Sequence, residues 1–485
     1  MQIKVDLNQK LGKYTDPTAW QNSTLRYSPP GDFPAFLQKQ LGTPEVMRVF
    51  ITLDEYWDYR TDTYYPDYAI GVKRYPDSEL HYIYDWEMIV PAPSGVRFRE
   101  YLCTHAACAK DLLLNVRRLE REVSDGIITY EQYEALFEKA VEYCKELAPN
   151  IRYIECCNEV DIKAFGDLTA EEYYKIYLCA YRAIKRLNCK HNYEVPLLIG
   201  GWSVAKPFIR RDRWERFLEL LAGAQLEEDP IDFYSVHYYH QACSEGMVRL
   251  EIDEEAQALG AVDRFKLLLR RHHKKLAELG LPEKTIFCNE MGRTRTTGVL
   301  TDSLRNAAGV FSYLIAFEDP ELNSFYMFPW CSFHNPELQI SYTQFLLKGK
   351  GEYAATPNGI ALMMLHKIKG ERVKTEVGDC ATKDAPYCAI AVMQEGEKPC
   401  LYVVCTNPTD VSGNFSVDIR GLADGKYEVR EYLCNSDKNN CVTGTGSGKM
   451  ECTDVRTVAA EGGLRLETPA EINAFVLYEI TPKQA

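Results

Sequence analysis

The chain is poor in basic charge and has no apolar run long enough to cross a membrane. Its 485 residues include 56 Lys and Arg against 70 Asp and Glu, which gives a formal net charge of -14 at pH 7. Binding nucleic acid through its phosphates requires a basic surface, and a membrane span requires about 20 predominantly apolar residues. We therefore predict no nucleic-acid partner and no membrane partner, and we expect a neutral or cationic ligand.

The chain also lacks a Cys-x-x-Cys pair and the pattern of a secretory signal. No Cys-x-x-Cys pair occurs among its 17 cysteines, an odd number that includes the adjacent Cys156 and Cys157. Free buried thiols in a reducing compartment explain this set more simply than disulfides or structural zinc. The first eight residues, Met-Gln-Ile-Lys-Val-Asp-Leu-Asn, contain neither the apolar core nor the cleavage site of a secretory signal. We therefore expect a cytoplasmic chain.

What the chain does have is the composition of a globular enzyme, with 46% hydrophobic and 26% charged residues. Strand-like and helix-like stretches alternate up to about residue 370. Strands are predicted near 20–27, at 46–53, 111–116, before Glu159, at 195–203, 231–239, before Glu290 and at 325–330, with helices at 33–41, 98–110, 130–147, 170–187, 214–222, 263–279 and 304–317. This order is typical of a parallel sheet with helical crossovers, and eight such units close a barrel. The predicted fold is α/β, a (β/α)8 TIM barrel over residues 12–370.

The composition changes after Arg372. From 373 to 485 the chain has short β-like runs, at 400–406, 426–434 and 474–480, separated by turns rich in Gly, Asn, Asp and Ser. This pattern predicts a smaller C-terminal β-sandwich domain. The first residues, 1–11, include an alternation of apolar and polar side chains over 3–7, so this segment is a candidate for one more strand of the sandwich.

Two glutamates share an unusual local context. Glu159 in Ile-Glu-Cys-Cys-Asn-Glu-Val and Glu290 in Ile-Phe-Cys-Asn-Glu-Met-Gly each follow an apolar, strand-like run and are each preceded directly by Asn. Catalytic groups gather at strand ends on one face of an α/β barrel, because loops there surround a substrate while strands hold side chains rigidly. The separation of the two glutamates predicts positions on strands four and seven, where one could act as an acid and the other as a nucleophile.

Four motifs in this order resemble those of clan A glycoside hydrolases, and within the clan they are most similar to family 39, the β-xylosidase and α-L-iduronidase type. They are Asn158-Glu159 after strand four, Gly200-Gly201 after strand five, Asp232-Phe233-Tyr234-Ser235-Val236-His237-Tyr238-Tyr239 on strand six and Asn289-Glu290-Met291-Gly292 on strand seven. The resemblance covers nearly the whole chain. It implies retaining, β-xylosidase-like hydrolysis of a terminal sugar without a metal or other cofactor, with Glu159 as general acid/base and Glu290 as nucleophile.

The resemblance also implies roles for side chains around the two glutamates. Such a pair needs one environment that raises the pKa of Glu159 and another that keeps Glu290 ionised. Candidate donors to Glu290 are Arg48, at the strand-two position where the clan usually has an Arg, and His237 or Tyr239 on strand six.

Two further residues are expected to contact the sugar. By the same resemblance, Asn158 bonds the sugar 2-hydroxyl, and Trp330, at the end of strand eight, forms an aromatic floor. The long segment 54–96 after strand two is also expected to line the binding cleft. Its aromatic residues are Tyr56, Trp57, Tyr59, Tyr64, Tyr65, Tyr68, Tyr75, Tyr82, Tyr84 and Trp86.

Each assignment has a structural alternative. The alternative for His237 is a core histidine, for Arg48 it is half of a structural salt bridge, and for Trp330 it is packing between barrel and sandwich. His237 and His240 with Glu245 do not have the spacing of a metal site. A catalytically silent glycan-binding barrel and a retaining transglycosidase remain alternatives to a hydrolase, and the sequence specifies neither the sugar nor the oligomeric state.

Overall fold

The computed structural model describes residues 1–23, 31–70, 96–162, 165–205, 211–224, 230–239, 253–292, 299–316, 325–327, 330–333, 341–349, 351–378 and 388–483. Within these ranges the chain forms two large sheets, one parallel and one mostly antiparallel. None of the helices in the described ranges is both long and apolar enough to cross a membrane.

The parallel sheet is the predicted TIM barrel. Its first seven strands are Trp20–Ser23, Val46–Thr52, Asp111–Arg117, Ile151–Cys156, Leu198–Val204, Phe233–Tyr239 and Thr285–Gly292. The eighth consists of Phe325–Met327, which pairs with the seventh strand, and Trp330–Phe333, which pairs with the first. All of these pairings are parallel, so the sheet closes on itself.

A helix follows each barrel strand and covers the outside of the sheet. These helices are Phe33–Leu41, Phe98–Ala106, Tyr130–Leu147, Ala170–His191, Arg211–Ala222, Ala261–Leu279, Ser303–Ala316 and Pro357–Lys367. Two of them begin with a capping box, in which the side chains of Thr129 and Thr169 accept a backbone N–H three residues later. Shorter helices are Pro17–Ala19, Leu53–Tyr56, Glu120–Ser124, Glu254–Ala258 and Leu300–Asp302.

Two helices end at residues other than those predicted from the sequence. The helix predicted over 98–110 ends at Ala106, since the chain must turn before the strand that begins at Asp111. The helix predicted over 170–187 continues to His191 and ends at Asn192, which adopts the left-handed conformation that Asn tolerates better than most residues.

The second sheet matches the predicted sandwich class. Its nine strands are Gln2–Lys13, Glu371–Val377, Cys388–Gln394, Cys400–Thr406, Gly413–Arg420, Gly425–Cys434, Asp454–Ala460, Leu464–Ala470 and Phe475–Pro482. Gln2–Lys13 lies inside this sheet, antiparallel to Glu371–Val377 and parallel to Gly413–Arg420. The sheet folds over one apolar core, in which Ile3 and Val417 cluster with residues of the opposite strands such as Val429 and Ile480. The exact domain bounds stay a prediction.

The outer face of the sandwich packs on the barrel. The ring of Phe475 lies 5.1 Å, centroid to centroid, from that of Phe311 in the helix after strand seven. The hydroxyl of Thr406 donates to the carbonyl of Ala308 in the same helix. Two hairpins complete the described structure, Trp57–Asp58 with Thr63–Tyr64 and Thr343–Gly349 with Glu352–Ala355.

The barrel interior is layered, and this layering positions the site. Near the amino-terminal ends of the strands an apolar layer is formed by Val46, Leu113, Phe233 and Phe287, with Tyr153 packed against it. Because side chains alternate along a strand, residues two positions further along point inward again. Those next inward positions are polar on five strands, and they hold Arg48, Asn115, Glu155, Ser235 and Asn289. All five side chains are completely buried.

Candidate active site

Glu159 lies in the turn beyond strand four. The strand ends at Cys156, and Glu159 has a left-handed backbone with φ of 50°. The turn is fixed from the neighbouring strand, because the backbone N–H of Glu159 donates to the carbonyl of Ser203, and the buried carboxylate of Asp161 accepts the N–H of Ala205. The side chain of Glu159 is 14% exposed, so it is accessible from the carboxyl-terminal face of the barrel.

Glu290 lies within strand seven and is bound by Arg48. Its side chain is 9% exposed, and its Oε1 accepts a hydrogen bond of 2.7 Å from Nη1 of the completely buried Arg48. The same guanidinium donates through Nη2 to Oδ1 of Asn158 at 2.8 Å. A charge-assisted bond of this kind stabilises the ionised carboxylate. Through Nη1 and Nη2, Arg48 links Glu290 with Asn158, the residue directly before Glu159.

His237 lies between the two glutamates. Its Nδ1 is 2.7 Å from Oε1 of Glu159 and 3.4 Å from Oε2 of Glu290. Burial alone lowers the pKa of His237, but the charges of Glu290 and Glu159 outweigh it and raise this pKa above its ordinary value. The sequence led us to consider His237 as a donor to Glu290, whereas the shorter contact is with Glu159.

The two carboxyl groups are close together and differ in environment. One carboxylate oxygen of Glu159 lies within 4.8 Å of one carboxylate oxygen of Glu290, and both lie within this distance of a ring nitrogen of His237. Burial raises the pKa of Glu159, and the negative charges of Glu290 and Asp161 raise it further, against an opposing contribution from His237. Glu290, by contrast, has the Arg48 guanidinium directly against one oxygen.

Glu155 is a site residue that sequence reasoning missed. It is completely buried on strand four, two positions beyond Tyr153, and its Oε2 accepts hydrogen bonds from Nε of Arg48 at 2.8 Å and from Asn115 at 2.6 Å. Its Oε1 accepts from Asn289. The available signal was a charged residue at an inward position of a central parallel strand, where apolar residues are the rule.

The other residues predicted to contact the sugar are Tyr239, Trp330 and Trp57. Tyr239 ends strand six and Trp330 begins the second segment of strand eight, but their side chains lie outside the described residues. The indole of Trp57 is 3% exposed and donates its N–H to Asp62 at 2.9 Å. The sugar contacts of Trp57, Tyr239 and Trp330 stay predictions.

The aromatic segment after strand two packs largely on the barrel in its described part. The Tyr56 ring lies 6.1 Å from that of Tyr143, and the ammonium of Lys139 lies 3.3 Å from the centre of the Tyr64 ring. Both partners belong to the helix Tyr130–Leu147. Residues 71–95, which carry the other candidate aromatics Tyr75, Tyr82, Tyr84 and Trp86, lie outside the described residues, as do His240 and Glu245.

Glu159, His237 and Glu290 are also residue types that bind metal ions. Their arrangement disfavours a cation, because the positive guanidinium of Arg48 already lies on Glu290 and the Nδ1 of His237 is within hydrogen-bonding distance of Glu159. The absence of a metal cofactor stays a prediction. The fourteen cysteines with described side chains are all free thiols.

Comparison with known proteins identifies the fold. No protein-family profile matches the chain, and no curated protein matches it in sequence. In structure it is similar to a glucosidase from Croceicoccus marinus, with a TM-score of 0.63, 15% identity and coverage of 100% of this chain and 99% of that one. The chain has the fold of clan A glycoside hydrolases.

Two other solved structures bear on the resemblance to family 39. A monomeric β-xylosidase from Caulobacter crescentus CB15 aligns with a TM-score of 0.62 at 15% identity, over 100% of both chains. The GH39 enzyme from Xanthomonas axonopodis pv. citri aligns with a TM-score of 0.62 at 14% identity, over 99% of this chain and 97% of that one. The likeness to family 39 folds predicted from the motifs is therefore confirmed, and at these identities it concerns the fold.

Proposed function

We propose that this protein is a retaining glycoside hydrolase that removes a terminal sugar from a short oligosaccharide or small glycoside, in the manner of a β-xylosidase. Glu159 is the general acid/base and Glu290 is the nucleophile. The observation that carries the proposal is the short spacing of these two groups, since one carboxylate oxygen of Glu159 lies within 4.8 Å of one of Glu290. Retaining enzymes hold the pair about 5–5.5 Å apart, while inverting enzymes need about 6.5–9.5 Å to admit a water molecule.

The two environments support this division of roles. A general acid must be protonated when the glycosidic bond breaks, and the pKa of Glu159 is raised by burial and by the charges of Glu290 and Asp161. A nucleophile must be ionised, and Arg48 donates directly to Glu290. The glycoside hydrolases that share this fold support the same reaction class.

The reaction then follows a double displacement. Glu159 donates its proton to the leaving oxygen while Glu290 attacks the anomeric carbon, and the resulting glycosyl ester is cleaved by a water that Glu159 deprotonates. The Oδ1 of Asn158 accepts from Arg48, which leaves its amide N–H groups to donate to the sugar 2-hydroxyl.

The test is hydrolysis of a panel of α- and β-nitrophenyl glycosides by wild type, Glu159→Ala and Glu290→Ala. Azide replaces the base-activated water when the acid/base is missing. We expect azide to restore turnover of Glu159→Ala and to give a glycosyl azide of retained configuration, while Glu290→Ala gives no retained product. Glu431→Gln is the matched control, because Glu431 is a buried glutamate paired with an arginine in the other sheet.

Other outcomes identify the alternatives. Sugar binding without turnover by wild type would replace the proposal with a silent glycan-binding barrel. Transfer to an added alcohol or sugar in preference to water would make the protein a transglycosidase, which uses the same two glutamates. An anomeric product of inverted configuration from wild type would overturn the assignment of Glu290 as nucleophile.

A further inference from the structure

Glu155 accepts hydrogen bonds from three buried side chains next to the two proposed catalytic glutamates, Arg48, Asn115 and Asn289. Its Oε2 lies 2.8 Å from Nε and 2.7 Å from Nη2 of Arg48. The same guanidinium uses its remaining nitrogen, Nη1, for Glu290. A planar guanidinium with two of its nitrogens on one carboxylate has a fixed plane, so the direction of its third nitrogen is fixed as well.

Glu155 also contacts both chain segments that carry the glutamates. Asn115 donates to Oε2 of Glu155 at 2.6 Å and to the carbonyl of Cys157 at 2.7 Å, within the turn that leads to Glu159. Asn289, the residue directly before Glu290, donates to Oε1 of Glu155. A single buried carboxylate thus links strands two, three, four and seven at the depth of the site.

The charge of Glu155 matters as well as its position. Burial alone raises the pKa of Glu155, yet the charge of Arg48 and the hydroxyls of Ser203 and Ser235 outweigh burial and lower this pKa. The carboxylate is therefore ionised, and it balances the positive charge of Arg48. The negative charge of Glu290 is then left as the net charge of the trio, which favours the positive charge that develops on the sugar at the transition state.

From these contacts we infer that Glu155 is a positioning residue for catalysis, which sets the orientation of Arg48 and Asn289 and the electrostatic potential at Glu159 and Glu290. It acts through these neighbours and does not touch the sugar. The inference rests on the proposed function, since it assigns Glu155 a part in the same reaction.

The test is the pH dependence of kcat and KM for wild type and Glu155→Gln, a substitution that keeps the shape and removes the charge. Loss of a negative charge lowers the pKa values of Glu159 and Glu290, so both limbs of the pH profile are expected to move to lower pH by about one unit. Because misplaced catalytic groups lose on the order of a hundredfold in rate, kcat is expected to fall by about that factor while KM changes little.

A purely structural role predicts a different result. In that case Glu155→Gln unfolds more easily but retains the wild-type pH limbs, and that outcome would overturn the inference. Glu431→Gln serves as the control for removing a buried, arginine-paired carboxylate, and it is expected to change stability without moving either limb. If Glu155→Gln does not fold, Asn289→Ala is the second test. This variant keeps the charges of Glu155 and Arg48 and removes the hydrogen bond that Asn289 donates to Glu155. It must lower kcat for the inference to hold.

Wild type and one added variant, Glu159→Gln, distinguish failure of the proposed function from failure of the inference on Glu155. Wild type that hydrolyses no glycoside contradicts the proposed function itself. The inference on Glu155 is then read from infrared difference titration of the protonated carboxyl band that Glu159→Gln removes. A wild-type pKa in Glu155→Gln would overturn the inference, and a lower one would support its electrostatic part.

Discussion

The Nδ1 atom of His237 lies 2.7 Å from Oε1 of Glu159. This contact opposes burial, since hydrogen bonding and the charge of His237 lower the pKa of Glu159 while burial, Glu290 and Asp161 raise it. The basic limb of activity is therefore expected to depend on His237, because this limb reports the loss of the proton that Glu159 must donate.

Substitution of His237 tests this balance. His237→Asn removes the contribution that lowers the pKa of Glu159, so the basic limb of kcat/KM is expected to move to higher pH. The measurement is the pH profile with a nitrophenyl glycoside. A basic limb at the wild-type position or at lower pH would contradict the assigned partner of His237.

Arg48 is expected to be required for both stability and activity. Its removal leaves Glu155 and Glu290 buried without their common cation, and loss of one partner from a buried ion pair costs about 3–5 kcal/mol. We expect Arg48→Met to lower the free energy of unfolding by about this amount and to abolish turnover. Arg48→Lys keeps the charge but not the planar fork, so it is expected to recover stability more than activity.

A surface arginine provides the control for Arg48. Arg182 pairs with Glu134 at 2.5 Å, but its side chain is 49% exposed. Exposed pairs contribute only about 0–1 kcal/mol. The free energy of unfolding of Arg182→Met, measured with urea, is thus expected to be close to that of wild type. A loss as large as that of Arg48→Met would refute the argument from burial.

Ionisation of the buried Glu122 is expected to lower the stability of the protein as pH rises. Burial, with smaller contributions from the charges of Asp54 and Glu120, raises its pKa from 4.5 to about 7 against the opposing effects of a backbone hydrogen bond and Arg118. A folded pKa above the unfolded one means that the folded chain binds more protons between pH 4.5 and 7. Stability therefore falls as pH rises through this window, and the penalty is complete above it.

Glu122→Gln removes that penalty. We expect the variant to be more stable than wild type at pH 8 by roughly 1–3 kcal/mol and equal to it near pH 4. Thermal unfolding at the two pH values measures the difference. An equal gain at both values would show that packing, and not ionisation, is responsible.

The Gly200-Gly201 pair is expected to be intolerant of side chains for steric reasons. A Cβ at Gly200 would lie 2.3 Å from the backbone carbonyl oxygen of Phe233, and one at Gly201 would lie 2.5 Å from the hydroxyl of Tyr173. Overpacking costs about 1–3 kcal/mol. Gly200→Ala is expected to lose at least this much in denaturant unfolding, whereas Gly413→Ala, where no atom lies within 4 Å of the added Cβ, is expected to be nearly neutral.

Much of the barrel could be predicted because its strands and helices differ in hydrophobic period and alternate regularly. The positions of Glu159 and Glu290 followed from their place after apolar runs, and the Arg48 contact with Glu290 agrees with the expectation from strand two. Glu155 was missed, because a carboxylate within a strand reads as an ordinary polar residue until its neighbours on three other strands are known. Such contacts are set by barrel register, which local sequence does not encode.

The cleft was harder to predict than the barrel. Aromatic residues after strand two suggested a sugar-binding surface, but Tyr56 and Tyr64 pack against the helix Tyr130–Leu147. An aromatic side chain gains stability from burial wherever it finds an apolar neighbour. Composition alone therefore does not distinguish a ligand-binding ring from a packing one.

The strand Gln2–Lys13 can pair in its sheet only after the barrel segments have been synthesised. It occupies an interior position of the antiparallel sheet, and its pairing partners begin only at Glu371 and Gly413. During synthesis the barrel segments emerge before those partners do, so the first strand has neither of its sheet partners until the chain has been made as far as Glu371–Val377. In topological terms the barrel is an insertion after the first strand of the sandwich, and removal of the first residues is expected to damage the domain at the opposite end of the sequence.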